Sequence, residues 1–481
     1  MTHHPTRMDK DSLDLERMGY KQELNRNLSF FSNFAIAFSF ISATTGIFSL
    51  FNYGLTTGGP AFVWSWPIVF IGQLLVGLSM GEAASHYPLA GSIYQWGKNL
   101  VNHTYAWFAG WIYLIALLAT IAAVDFGGAP YVAQLFGFDA TNQTVLIVAT
   151  AVMVLLQTLI NAFGVKLTAI INNIGMVAEI VAMIVLAVML YAVGVHQPFS
   201  FTFHTAGTAG AGGYLPVFLA AMLTSTWVLY GFDSAGGLAE EVKDPRRVVP
   251  KAIIYSLVLT FIIGALALWA FVLGIPDLDT AMKSDAPLSY ILESNLGTGI
   301  ANSFIIIAVI AIFVCGTAVQ ATVSRLLYSF GRDNKIPFSK TWVKVSQRFE
   351  TPVAAIVFSG MFTILLSVSA SVETYIVNIC VVGMYLAYLS VPVGNLISRS
   401  RGWDSTTSPW NLGKWGLPVN LVAALWGVFV VINLSWPRSP DSPWYQNYSI
   451  PLLVLGALLI GGMYYFTVIR PREVLEKGQE R

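Results

Sequence analysis

The stretch Trp227–Glu241, WVLYGFDSAGGLAEE, begins at the end of a long apolar run and finishes in charge. Gly231, Asp233, Ser234, Gly236 and Gly237 sit in its middle. A helix surrounded by lipid keeps every backbone N–H and C=O bonded within itself. Irregular backbone at that depth is tolerated only where it is buried in protein or lines a cavity. An ionisable residue in such a helix is a functional candidate by default. The meaning of this stretch therefore turns on whether the chain around it spans a membrane.

The composition answers that question. Of the 481 residues, 56% are hydrophobic and 11% charged, and the mean hydropathy is +0.66. Soluble globular chains carry about 25% charged residues. The chain reads as an all-α polytopic membrane protein. A net charge of +1 gives no bulk field for nucleic acid. Cys315 and Cys380 both lie in apolar runs, which argues against a disulfide framework. The first 28 residues are polar, with no apolar core of a signal peptide.

A membrane helix needs about 20 mostly apolar residues. Twelve runs qualify: 29–54, 60–81, 105–126, 144–163, 167–194, 215–239, 251–274, 299–329, 352–370, 372–398, 415–435 and 449–469. The ninth and tenth are separated only by SASVE. Charge placement supports this division. With the N-terminus cytoplasmic, all of the 26 Lys and Arg except Lys283 and Arg438 fall in tails or inside loops. Both termini are then expected in the cytoplasm and the chain in the plasma membrane. No loop leaves room for a nucleotide-binding domain, and no GxxxxGK[ST] phosphate loop is present.

The first run, FAIAFSFISATTGIFSLFNYG, is interrupted by Ser42-Ala43-Thr44-Thr45-Gly46, about 190 residues before the sixth-run interruption at Gly231. Each interruption falls in the first helix of a five-helix set. Paired Gly-interrupted helices in matching positions point to an inverted-repeat transporter with a midplane site. The expected organisation is a 5+5 inverted repeat of the LeuT-like kind, helices 1 and 6 broken, with two extra C-terminal helices. The segments are a tail (1–28), a first repeat (29–194), a second repeat (215–398), helices 11–12 (415–469) and a tail (470–481).

Candidate residues follow from this frame. Thr44, Thr45, Gly46 and Ile47 would start a half-helix whose free N–H groups and positive dipole end suit a carboxylate; close helix packing explains small residues equally well. Asp233 would face the cavity and pair with an ammonium group, or serve as a helix N-cap with Ser234. Gly231 allows the helix to open. Trp227, Tyr230 and Phe232 would offer aromatic faces to a cation, worth about 0.5–2 kcal/mol. Asp125, in IAAVDFGGAP, is a second amine partner, a proton site, or a marker of the outer end of the third helix. Asn172, Gly175 and Glu179 share one face of the fifth helix, and burial would favour a proton on Glu179. Thr317, Gln320, Asn378 and Tyr385 would add polar contacts, or only tie helices together. Glu82, Glu240, Glu241, Arg246 and Arg247 would form an inner ion-pair gate, the arginines being equally explained by charge topology.

Several stretches resemble the amino acid–polyamine–organocation (APC) superfamily of permeases, and most closely its amino acid/choline transporter branch, which includes GABA permeases and choline or polyamine carriers. They are FSNFAIAFSFISATTGIF (31–48), GEAASHYPLAGSIYQW (81–96), GFDSAGGLAEEVKDPRRVVPKAI (231–253) and SRLLYSFGRDNKIP (324–337). The resemblance implies a secondary transporter for an amino acid such as GABA, with the amino acid held at Thr45-Gly46-Ile47 and Trp227 matching a tryptophan that stacks on substrate in arginine/agmatine antiporters. Some proton-coupled relatives place a lysine at the matching fifth-helix position; this chain has Glu179. Glu179 and Thr317 are the coupling candidates, with H+ as the ion. A choline or polyamine carrier using Asp125 and Asp233 is the alternative. A non-transporting sensor or a membrane enzyme is the reading from another class, although no HExxH or GxSxG is present. No cofactor, metal or nucleic-acid partner is expected, only a small-molecule substrate, the coupling ion and the bilayer.

Overall fold

A computed structural model describes residues 10–210, 212–284, 286–367, 373–438 and 441–479. Among these the structure is helical, with two isolated β-bridges and no strand. The α-helices are α1 (Lys10–Arg17), α2 (Phe30–Ile41), α3 (Ala43–Gly58), α4 (Ser65–His86), α5 (Ile93–Leu100), α6 (His103–Leu135), α7 (Gln143–Ala162) and α8 (Val165–Val193). Then come α9 (Leu215–Ala221), α10 (Leu223–Val228), α11 (Ser234–Gly237), α12 (Pro245–Leu273), α13 (Leu278–Lys283), α14 (Pro287–Leu296), α15 (Thr298–Arg332) and α16 (Ser339–Trp342). The chain closes with α17 (Val353–Leu366), α18 (Glu373–Ser400), α19 (Gly416–Ser435), α20 (Trp444–Asn447), α21 (Ser449–Tyr464) and α22 (Arg470–Gln479).

Ten helices among the described residues are long and apolar enough to cross a membrane, and Leu215–Val228 and Val353–Leu366 are shorter apolar helices. Their packing inverts the soluble pattern. On α8, Ile174, Val177, Val181 and Val188 are exposed, whereas Asn172, Gly175, Glu179 and Ala182 are buried. Lipid tails are as apolar as leucine, so the inner face of a helix gathers the small and polar residues that let helices approach and bond.

Local signals start several helices. The Asn102 side chain accepts the Tyr105 N–H at 2.9 Å at the start of α6, and Asn142 accepts the Thr144 N–H at 3.0 Å at the start of α7. Each thereby satisfies a donor that the first helical turn leaves free. The α6 helix continues through Gly127, Gly128 and Pro130 to Leu135. Asp125 is therefore interior to a helix, not a marker of its end, because neighbouring helices shield the backbone around an internal proline. The SASVE separator lies largely outside the described residues, as does the side chain of Asn378.

The centre is built from the broken helices and the long ones. The α2 helix packs on α8, α12 and α15, α3 packs on α10, and α6 packs on α15 and α18. The N-terminal segment folds back on one face, with Leu15, Leu24 and Leu28 buried. Leu28 is bridged to the chain after α11: its N–H donates to Glu241 O at 2.9 Å and its carbonyl accepts the Lys243 N–H at 3.1 Å.

Candidate functional site

The first break is one residue wide. Ser42 adopts φ 17° and ψ 99°, ending α2 and starting α3. The exposed helix ends are filled by side chains. Ser42 Oγ accepts the Thr45 N–H at 3.1 Å, and Glu179 Oε1 accepts the Thr44 N–H at 3.0 Å and the Ser42 hydroxyl at 2.8 Å. The Cys315 thiol donates to Phe40 O at 3.2 Å. The donors that were expected to be free for a substrate carboxylate are thus held by the chain's own serine and glutamate. A buried helix end must find such partners.

The second break runs from Leu229 to Asp233, between α10 and α11. Gly231 has φ +107°, a conformation that L side chains rarely adopt. Gln73 Nε2 donates to Leu229 O at 2.8 Å, and the Gly231 N–H donates to the Tyr388 hydroxyl oxygen at 2.7 Å. Tyr388 and Tyr113 in turn donate their hydroxyls to the two carboxylate oxygens of Asp233. Ser92 Oγ lies 3.4 Å from Asp233 Oδ2. Asp233 occupies the N-cap position of α11 without a side-chain capping bond.

The two breaks touch. A Cβ on Gly46 would lie 2.3 Å from Val228, and a Cβ on Gly231 would lie 2.2 Å from Phe40. Between them is a cavity of about 10 Å³, space for about one water. Phe40, Ser42, Thr45 and Gly46 line it from the first break, and Trp227, Val228 and Tyr230 from the second. Thr120 and Val124 on α6 and Cys315 on α15 complete it. Trp227 and Tyr230 meet edge to face at 5.9 Å.

The structure brings together only part of the expected set. Thr45, Gly46 and Trp227 line the cavity. Thr44 and Ile47, at the start of α3, and Gly231 and Phe232, in the second break, are buried, with Phe232 against the Tyr388 ring at 5.1 Å. Asp233 does not line it; its oxygens turn to the two tyrosines. Asp125 lies elsewhere, on the side of α6 that faces Gln157 of α7 and Gly316 of α15. The two acids share no hydrogen-bond partner among the described residues. The Thr317 hydroxyl bonds back to Phe313 O at 2.9 Å. Gln320 binds Thr158 and Asn161, tying α15 to α7. Tyr385 donates to Thr226 O at 3.3 Å. Tyr113, Tyr388, Gln73 and Cys315 were not foreseen; nothing in sequence distinguishes them from the other aromatics and small residues of a greasy helix.

The acids expected at the inner gate form ion pairs, with partners other than the expected Arg246 and Arg247. Glu241 pairs with Arg325 at 2.7 Å, both almost fully buried. Glu240 pairs with Arg332 at 2.8 Å and Glu82 with Arg399 at 2.7 Å. Arg246 pairs with Asp14 of the N-terminal segment at 3.1 Å. Tyr20 from the same segment reaches Asp333 at 2.9 Å under the Arg332 guanidinium, 3.8 Å from its ring centre. Lys98 also binds Asp333, at 2.7 Å. Burial works to raise the Asp333 carboxyl, but the Lys98 ammonium and the bonds from Lys98, Tyr94 and Tyr20 outweigh it and hold it below the usual carboxylate range.

The sequence profile of the family described as Amino acid permease matches residues 28–459. The amino-acid permease BAT1 of Arabidopsis thaliana is 29% identical over 95% of this chain and 94% of its own length. The BAT1 homolog of Oryza sativa subsp. japonica is 30% identical over 94% of each chain. The GABA-specific permease of Saccharomyces cerevisiae is 28% identical over 95% of this chain and 84% of its own length.

Proposed function

Because this chain belongs to the amino acid permease family, a family of transporters and not of enzymes, and is a multi-pass membrane protein, we propose that it is a proton-coupled secondary transporter of an amino acid such as GABA, working by alternating access. In this reading the ten long and two short apolar helices make twelve spans, two five-helix repeats related by inversion plus α19 and α21. Both termini face the cytoplasm, and the membrane is the plasma membrane. The carrying observation is the contact of the two helix breaks across one small cavity. Discontinuous helices at a repeat interface are where such transporters bind substrate and ion.

The cavity is too small for an amino acid, so binding requires the breaks to part. Separation of Gly46 from Val228 and of Phe40 from Gly231 opens the space in which Trp227 and Tyr230 receive the ammonium group on their ring faces. Asp233 contributes negative field from behind Tyr388. The carboxylate goes to the N-terminal turn of α3 at Thr44–Ile47. There the Glu179 carboxylate already holds the Thr44 N–H. Two carboxylates at one donor cluster repel strongly. A proton taken up by Glu179 removes that repulsion, so substrate and proton enter together, which is symport; Thr317 on the neighbouring α15 is the second coupling candidate.

The experiment is uptake into proteoliposomes of labelled GABA, alanine, glutamate, arginine, choline and putrescine, each with and without an inward proton gradient. Gradient-driven uptake of a zwitterion that loses its dependence on the gradient in Glu179→Gln supports the proposal. Uptake of choline or putrescine alone overturns the carboxylate site.

A further inference from the structure

We propose that Asp125 and Gln157 hold a proton between α6, α7 and α15 as a carboxylic acid–amide pair, a proton-binding site separate from the helix breaks. The proposal does not depend on the substrate or on the coupling assigned above.

Asp125 is fully buried. One oxygen, Oδ1, accepts from Gln157 Nε2 at 2.7 Å. The other, Oδ2, has no partner among the described residues, and neither has Gln157 Oε1. The amide orientation is fixed independently, because Gln157 Nε2 also lies 3.3 Å from Phe313 O. Flipping the amide would set Oε1 against the Phe313 carbonyl oxygen, two acceptors with no donor between them. Asp125 takes part in none of the ion pairs of the described residues.

An ionised carboxylate in this position would be held by a single neutral donor, which does not compensate the loss of water. A proton on Oδ2 changes the bookkeeping. It turns the unpaired oxygen into a donor, and the unpaired Gln157 Oε1 into its acceptor. Two orphan atoms are then satisfied by one O–H···O bond, and acid and amide face each other through two hydrogen bonds. Gly316 makes room for this pair: a Cβ there would lie 2.4 Å from Gln157 Nε2 and 2.9 Å from Asp125 Oδ1.

The titratable groups on the packed elements have other partners. Cys315 bonds Phe40 O, Tyr131 bonds Phe48 O at 2.8 Å, and Glu179 bonds Ser42 and Thr44. None supplies Asp125 with a donor or a countercharge.

Infrared spectroscopy of the full-length protein in lipid at neutral pH tests this. The wild type minus Asp125→Asn difference should contain the carbonyl band of a protonated carboxyl group, slow to shift in D2O, and no carboxylate band. Asn presents the same donor and acceptor to Gln157, so this variant should fold with an unchanged melting temperature. The exchanged pair Asp125→Asn/Gln157→Glu should restore a protonated-acid band. A carboxylate band in the difference spectrum, or no restored acid band in the exchanged pair, overturns the proposal. So does a melting temperature markedly lowered by Asp125→Asn, which would show that the charge itself is needed.

Discussion

The Glu179 carboxylate accepts the Thr44 N–H at 3.0 Å, so a residue 135 positions along the chain caps the second half of the broken first helix. This contact joins α8 to the break and puts an acid where the proposal puts the substrate carboxylate.

Glu179→Gln keeps an acceptor for Ser42 and Thr44 but removes the charge. The protein should remain folded, and substrate uptake should lose its acceleration by an inward proton gradient. Glu179→Ala leaves the Thr44 N–H buried and unsatisfied, at about 1–3 kcal/mol, whereas the Ser42 hydroxyl keeps Thr45 Oγ1 as a partner at 2.7 Å. It should lower the melting temperature as well as uptake. Paired uptake and melting curves separate the two effects.

Gly46 and Gly231 have no room for a side chain. Gly46→Ala should destabilise by about 1–3 kcal/mol, the usual cost of overpacking, and abolish uptake. Val228→Ala in the same chain should recover much of both losses, because the added methyl meets Val228. Gly231→Ala should not be rescued by shortening Phe40, since its φ of +107° remains strained for alanine. A double-mutant cycle on each pair decides the matter.

Tyr388 and Tyr113 differ in what they hold. Each donates to Asp233, but only Tyr388 also accepts the Gly231 N–H. Tyr113→Phe should cost about 1.5–3 kcal/mol, the range for a bond to a charged group. Tyr388→Phe should cost more, because it strands a buried backbone donor in the second break. If calorimetry ranks Tyr113→Phe as the more damaging change, the account of this break is wrong.

The tail contact at Asp333 should not respond to pH in the neutral range. Its carboxyl is depressed when folded, so the stability it contributes is complete above the unfolded value of about 3.9 and is lost as pH falls through the lower folded value. Hydrogen-exchange protection of Leu15–Leu28, corrected for intrinsic rates, should be flat from about pH 5 to 8 and fall only in strong acid. Asp333→Asn should reduce that protection throughout the same range.

Breaking the buried pair Arg325–Glu241 should be far more costly. Arg325→Met leaves Glu241 charged and alone, at about 3–5 kcal/mol. Arg325→Met with Glu241→Leu should recover stability, and the thermal midpoints of the three proteins test it.

Much of this was legible in the residues. The apolar runs located the helices because a backbone in lipid has no alternative bonding partner. The glycine-rich interruptions located both breaks, and the i, i+3, i+7 spacing of Asn172, Gly175 and Glu179 located a buried face. Partners were not legible. The acids of the expected gate were named, but Arg325, Arg332 and Arg399 come from distant helices whose register no local pattern reveals. The unwinding of the sixth helix points Asp233 toward the cavity; which groups meet its carboxylate, the Tyr113 and Tyr388 hydroxyls, depends on helices distant in sequence.

The sequence by itself determined what is local and repetitive: which segments are helical, where two of them must open, and where charge collects. Those properties depend on hydrophobic length, backbone freedom and solvation, all carried by neighbouring residues. Only the tertiary structure decided which group satisfies each freed donor. It set Glu179 on Thr44, Tyr388 on Gly231 and Gln157 on Asp125, because a buried polar atom is paired by whatever the packing of distant helices brings within hydrogen-bond reach.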